Sequence, residues 1–181
     1  MGNQAGIFFM KTSTLFNWEY KSLKGHPFEK FLPLPISQHQ LILDIDVKLL
    51  SAKSTLALWH EIFGCDDERR FFEKNHWLNN SSWESLGINW LPDYNEELGG
   101  RITQELVNKL SYINNDIVFY FNDPYEALEI SWDKFSLFWM PFFEYNDESY
   151  IWKLGSDELL LVTPHGEIKR TKIPIGKQLL L

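Results

Sequence analysis

His60, Glu61 and Cys65 are the residues of this chain whose types and closeness could do chemistry. A His-Glu pair on a helix is half of a zinc-protease motif, whose second His must follow one turn later so that both imidazoles meet one metal. The residue one turn after His60 is Gly64, so the motif is absent. Cys65 with His60 or His76 would make a nucleophile and its base if the fold brought them together. Cys65 follows an expected helix C-terminus, however, and that end of the helix dipole disfavours a thiolate, so an inert, half-buried thiol is expected. Paired carboxylates offer acid–base chemistry of the glycosidase kind, with Asp44 and Asp46 on one strand face, or Glu126 and Asp133 near a hairpin end, as candidates. Twenty-five acids supply such pairs by chance, and solvated surface is their ordinary fate. Phosphate loops, dinucleotide fingerprints and paired-cysteine metal spacings do not occur. The sequence therefore assigns no catalytic residue, no metal and no cofactor.

The charge distribution says more. Asp116 to Glu158 holds ten acids against Lys134 and Lys153, which accounts for the whole net charge of −8, because the remainder balances fifteen acids with fifteen bases. The same stretch carries thirteen of the twenty-nine aromatic residues. Acids interleaved with Phe, Tyr and Trp describe either a packed sheet with a solvated outer face or a surface prepared for a basic protein. On the second reading the partner-contacting residues are Glu126, Glu129, Asp133, Phe142, Phe143, Glu144, Asp147 and Glu148. Concentrated negative charge opposes phosphate-backbone binding, so no nucleic-acid partner is expected. The bases Lys169, Arg170, Lys172 and Lys177 would divide between the two faces of a strand, too sparsely to line a groove.

A chain of 181 residues is most naturally one domain, long enough to bury roughly 70% of its unfolded surface. Its single cysteine excludes an internal disulfide and suits a reducing compartment, so a cytoplasmic location is expected. The apolar patch Ile7 to Met10 lacks the preceding base and the small-residue cleavage site of a secretory signal. Residues 1–15 are expected to be frayed, with Met10 an alternative start. No apolar run approaches the roughly 20 residues of a bilayer span, so no membrane contact is expected.

The elements that must position these groups follow from periodicity. Residues 21–40, with Gly25, Pro27, Pro33 and Pro35, read as an irregular arm, and Leu41 to Leu49 alternates as a strand. Ser51 or Ser54 can cap a helix carrying Leu56, Trp59, Ile62 and Phe63 and ending at Gly64, and Asp66 can start a short one carrying Phe71 and Phe72. Asn75 to Gly100 reads as an ordered loop pinned by Trp77, Trp83 and Trp90, and Ile102, Leu106, Leu110 and Ile113 repeat at helical spacing. Ile117 to Phe121 and Tyr125 to Ile130 form a hairpin about Asn122-Asp123-Pro124. Ser131 caps one inserted helix with Trp132, Phe135, Phe138 and Trp139 along a core-facing side, stopped by Pro141. Three more strands follow, Ser149 to Leu154, Glu158 to Thr163 and Glu167 to Ile173. The expected class is α+β: N-terminal helices and a Trp-rich loop packed on a C-terminal antiparallel sheet of about five strands.

Leu58-Trp59-His60-Glu61, Phe71-Phe72 with Trp77, Ser81-Ser82-Trp83, Asn115 to Phe121, and Trp132, Phe135, Trp139 with Phe142-Phe143 follow one another in a recognisable order. In these aromatic words, from about Leu56 to Arg170, the chain resembles a family of uncharacterised bacterial proteins, a domain of unknown function. That resemblance implies no activity and no site residue. Leu91-Pro92-Asp93-Tyr94 after Gly87 is also similar to a word of SMI1/KNR4-type bacterial immunity proteins. The resulting expectation is a non-catalytic protein-binding module, immunity- or antitoxin-like in the last resemblance. The alternative is a small-molecule enzyme with a pocket walled by the loop Asn75 to Gly100.

Overall fold

The computed structural model describes residues 18–26, 47–65, 72–95, 99–144 and 148–174. In chain order its elements are β1 (Tyr20–Lys21), β2 (Val47–Leu50), α1 (Ala52–Phe63), a 3-10 turn (Trp77–Asn80), β3 (Glu84–Asn89), α2 (Leu91–Asn95) and α3 (Gly99–Lys109). Then follow β4 (Ile117–Asp123), β5 (Glu126–Ser131), α4 (Trp132–Leu137), α5 (Trp139–Glu144), β6 (Ser149–Lys153), β7 (Glu158–Val162) and β8 (Glu167–Lys172). The expected start of a strand at Leu41, the helix from Asp66, residues 1–15 and most of the arm lie outside the described residues.

The strands join in one antiparallel sheet in the order β1-β2-β5-β4-β6-β7-β8-β3. Alternation along them sends Val118, Tyr120, Leu128, Ile130, Ile151 and Leu160 to one face and Phe119, Phe121, Ala127, Tyr150, Trp152 and Leu161 to the other. The first face is covered by α3, α4 and α5 through Ile102, Leu106, Trp132, Phe135, Trp139 and Phe142. The second is covered by α1 through Leu58, Trp59, Ile62 and Phe63, with Leu78 beside them. Phe63 meets Tyr150 edge-on at 5.0 Å, and Tyr120 meets Phe142 edge-on at 5.3 Å on the opposite side, so aromatic packing seals both layers. Because both faces are covered, the inner positions of β4 to β7 are buried on both sides of the sheet, a pattern more usual in parallel sheets.

The α+β class holds, but the sheet among the described residues has eight strands, not about five. β2 pairs with β5 (Lys48 opposite Glu129), β1 adds to β2 outside it, and β3 pairs with β8 (Glu84 opposite Arg170), so strands from the N-terminal half close both edges. Part of the stretch read as loop is thus an edge strand. Two short helices stand where one was expected. Pro141 could not sit in a continuous helix, because its ring would strike the carbonyl four residues back. The chain breaks instead at Phe138 (φ −117°, ψ 31°), which puts Pro141 in the first turn of α5, where no intrahelical donor is needed. Ser51 rather than Ser54 caps α1, accepting the Ser54 N–H at 3.2 Å, and Gly64 (φ 78°) closes the helix in the left-handed region as expected. α3 ends at Lys109, leaving Ile113 beyond it and largely exposed. Among the described residues no helix is long and apolar enough to cross a membrane.

The β7–β8 turn is tied to β3 by backbone, since Gly166 O accepts the Trp90 N–H at 2.9 Å. A Cβ on Gly166 (φ +90°) would stand 2.3 Å from Asn89 Oδ1 and 2.9 Å from Leu91 Cβ, whereas one on Gly155 (φ +76°) would meet nothing within 4 Å. Gly155→Ala should therefore cost about 1–2 kcal/mol from its backbone alone, and Gly166→Ala a further ~1–3 kcal/mol from overpacking. Urea midpoints measure both, and equal losses would contradict the close approach.

Candidate functional site

Glu129 stands in the middle of β5 and is only 8% exposed, on the face that carries Ala127. A buried carboxylate must be paired and hydrogen-bonded. Both of its oxygens are engaged: Lys48 Nζ donates to Oε1 at 2.8 Å and Tyr20 Oη to Oε2 at 2.6 Å, with the Lys48 ammonium 5.2 Å from the Tyr20 ring centroid. Burial, then the hydrogen bond to Glu129, push the Tyr20 phenol above its ordinary range. This cluster fastens β1, a strand of two residues, to the sheet. Glu19 N–H donates to the Ser54 hydroxyl at 2.9 Å, and Leu23 is buried in the core of the first face, so the segment 18–26 is held at several points.

The same segment ends in a second clamp. His26 Nε2 lies 2.8 Å from Glu126 Oε2, and the Asn122 amide donates to the other oxygen of that carboxylate. Between this clamp and β2 opens a cleft of about 350 Å³. It is lined by Lys21, Ser22, Lys24, Gly25 and His26 of the segment and by Leu49, Leu50, Tyr125 and Glu126 of the strands beside it. Tyr125, at the tip of the β4–β5 hairpin, is 55% exposed. Of these residues the sequence singled out only Glu126, because an irregular arm with a Lys-Gly turn carries no signal of what it will face.

The structure brings Cys65 and His76 together, with Sγ 3.7 Å from Nε2, but not as nucleophile and base. His76 Nδ1 accepts the Leu78 N–H at 3.2 Å, and Nε2 lies 2.8 Å from Phe63 O, an acceptor that requires Nε2 to carry the proton. The nitrogen facing the thiol is therefore a donor. Phe63 O also accepts the Trp77 indole N–H at 3.1 Å, so two rings satisfy a carbonyl at the end of α1. His60 and Glu61 are exposed on α1. Among the described residues no three His, Cys, Asp or Glu gather as a metal site would need. Trp77 and Trp83 pack on the second face of the sheet while Trp90 is buried on the first, so the three indoles do not wall one cavity.

The sequence-chosen acids and aromatics that lie among the described residues occupy different parts of the fold. Phe142 and Phe143 are fully buried under the first face. Asp133 opens α4 beside Asn114, whose carbonyl accepts its N–H at 3.1 Å, at the end of β4 opposite Glu126. Glu148 is exposed just before β6; Asp147 and the Glu144 side chain lie outside the described residues. At the Asp133 end, Asp116 pairs with Lys153 at 3.2 Å, Asp157 with Lys172 at 3.4 Å and Glu158 with Arg170 at 3.8 Å. The word Leu91-Pro92-Asp93-Tyr94 opens α2, where the Asp93 carboxylate holds the Arg101 guanidinium at 2.7 Å.

Fold and site together define a three-layer α+β domain, an antiparallel sheet between helices, with a cleft beside one edge. The chain belongs to the family described as protein of unknown function DUF2947, whose model matches residues 33–170. No curated protein and no solved structure matches it, and the likeness to SMI1/KNR4-type proteins has no counterpart in these comparisons.

Tyr112 joins Tyr20 in having its phenol pushed upward, by burial first and then by Glu158 and Asp116. A raised phenol contributes stability that is complete below its ordinary value near 10 and is lost as pH rises through the folded value. Folded stability should therefore fall above about pH 10, and Tyr20→Phe with Tyr112→Phe should flatten that alkaline limb in urea titrations. For His76, long-range ¹H–¹⁵N spectra should show Nε2 protonated and Nδ1 bare; the opposite tautomer would reopen the Cys65 dyad.

Proposed function

We propose that this protein acts by binding another protein, without catalysis, and that the cleft between segment 18–26 and the β4–β5 hairpin is where the partner docks. The observation that carries the reading is the cleft itself, open at the sheet edge, with the exposed ring of Tyr125 on its rim. Exposed tyrosine beside a pocket is the usual composition of an interface hot spot, since it offers area at little entropic cost. Support also comes from how the reactive groups are used. His76 is committed as a double clip, Glu129 anchors β1, and Glu126 is shared between His26 and Asn122. A basic partner, the expectation from composition, would need a coherent acidic face, and among the described residues Asp116, Glu126, Glu129, Asp157 and Glu158 instead meet Lys153, His26, Lys48, Lys172 and Arg170.

A photo-crosslinking residue placed at Tyr125 in the native cell should give one defined protein adduct. The same residue at Val107, which is also exposed, should not, and Lys21→Glu with Lys24→Glu should abolish the Tyr125 adduct. No adduct, or one indifferent to the lysines, would remove the reading.

A further inference from the structure

We infer that the group this cleft receives is a carboxylate on an acidic segment of the partner, an inference that rests on the docking reading above. Acids outnumber bases in this chain, 25 to 17, so a lysine in the fold readily finds a carboxylate. Lys48, Arg101, Lys153, Arg170 and Lys172 each do so. Lys21 and Lys24 do not: among the described residues neither has an acid within ion-pair reach, although both line the same cleft.

Glu126, the one carboxylate among the described residues that lines the cleft, is already occupied. Glu126 gives one oxygen to His26 and the other to Asn122. Glu129 gives its two to Tyr20 and Lys48 and, three residues along β5, points to the opposite face of the sheet. The cleft is left with two ammonium groups and the Ser22 hydroxyl, and no uncommitted acceptor of comparable strength. Above the Lys24-Gly25 turn the space is open, since a Cβ on Gly25 would meet nothing within 4 Å.

The net charge of −8 does not oppose this, because at physiological salt charges beyond about 8 Å are screened and the local set of groups decides. Leu49 and Leu50 are core residues, 6% and 1% exposed, so the apolar surface open to a ligand here is the Tyr125 ring, which suits the methylene stem of Glu or Asp that a bare phosphate lacks.

Titration of the ¹⁵N-labelled full chain with hexaglutamate tests this. Saturable shifts are expected at Lys21 to His26, Tyr125 and Glu126. They should weaken at least tenfold in Lys21→Glu with Lys24→Glu and change less than twofold in Lys74→Glu, an exposed control of the same charge change. Urea midpoints close to that of the parent chain establish that the variants are folded. Equal shifts with hexaglutamine, hexalysine or inorganic phosphate, no saturable shift, or binding that survives the double reversal would overturn the carboxylate assignment. A lysine-dependent crosslink at Tyr125 without hexaglutamate binding leaves the docking site standing and rejects the ligand class; loss of both rejects the site.

Discussion

Covering an antiparallel sheet on both faces is the constraint from which the rest of this structure follows. The central residues of β4, β6 and β7 point into one apolar layer or the other, so the outward polar row that such sheets usually carry has no place along them. Helices must supply both layers, and they come from different parts of the chain: α1 before the strands of the meander, α3 just ahead of it, α4 and α5 within it. Some polar groups that enter the layers bring their partners with them. Glu129 does so with Lys48 and Tyr20, and the buried Thr171 donates its hydroxyl to Ser82 O at 3.1 Å.

What was legible in the sequence is what is local. The β4–β5 hairpin, the strands on either side of Gly155 and Gly166, and the stripe Trp132, Phe135, Trp139 all depend on neighbours a few residues away, and their patterns name them. β3 was not legible. Glu84-Ser85-Leu86-Gly87-Ile88-Asn89 buries only Leu86 and Ile88, and Gly87 at φ 64° interrupts its extended run. It becomes a strand because β8, some eighty residues on, offers it a ladder. Lys109 then donates to Leu86 O at 2.5 Å and Arg101 to Asn89 O at 2.9 Å, capping carbonyls of this edge strand with charge.

The placement of the acidic stretch was hidden for a related reason. Composition counts charges along the chain, whereas a field depends on where their partners arrive. Lys48, Arg170, Lys172 and His26 come from outside Asp116 to Glu158 to meet its acids, and strand alternation turns Glu126 and Glu129 to opposite sides. The cleft was invisible for the converse reason. Its cationic residues lie in a turn without hydrophobic period, and the rest of its lining comes from β2 and a hairpin tip far along the chain.

The attachment of segment 18–26 has a consequence of its own. Two residues of ladder, two carboxylate clamps, the hydrogen bonds of Glu19 to Ser51 and Ser54, the Trp18 ring against Phe119 and the buried Leu23 hold it, a thinner attachment than the long ladders of the central strands. Such a segment detaches as a sub-global unit at a fraction of the free energy that unfolds the whole domain. The cleft exists in the molecules whose arm is seated, and on the docking reading apparent affinity would be scaled by that fraction. On the docking reading, a change that loosens Tyr20 or His26 would weaken binding without touching the bound group.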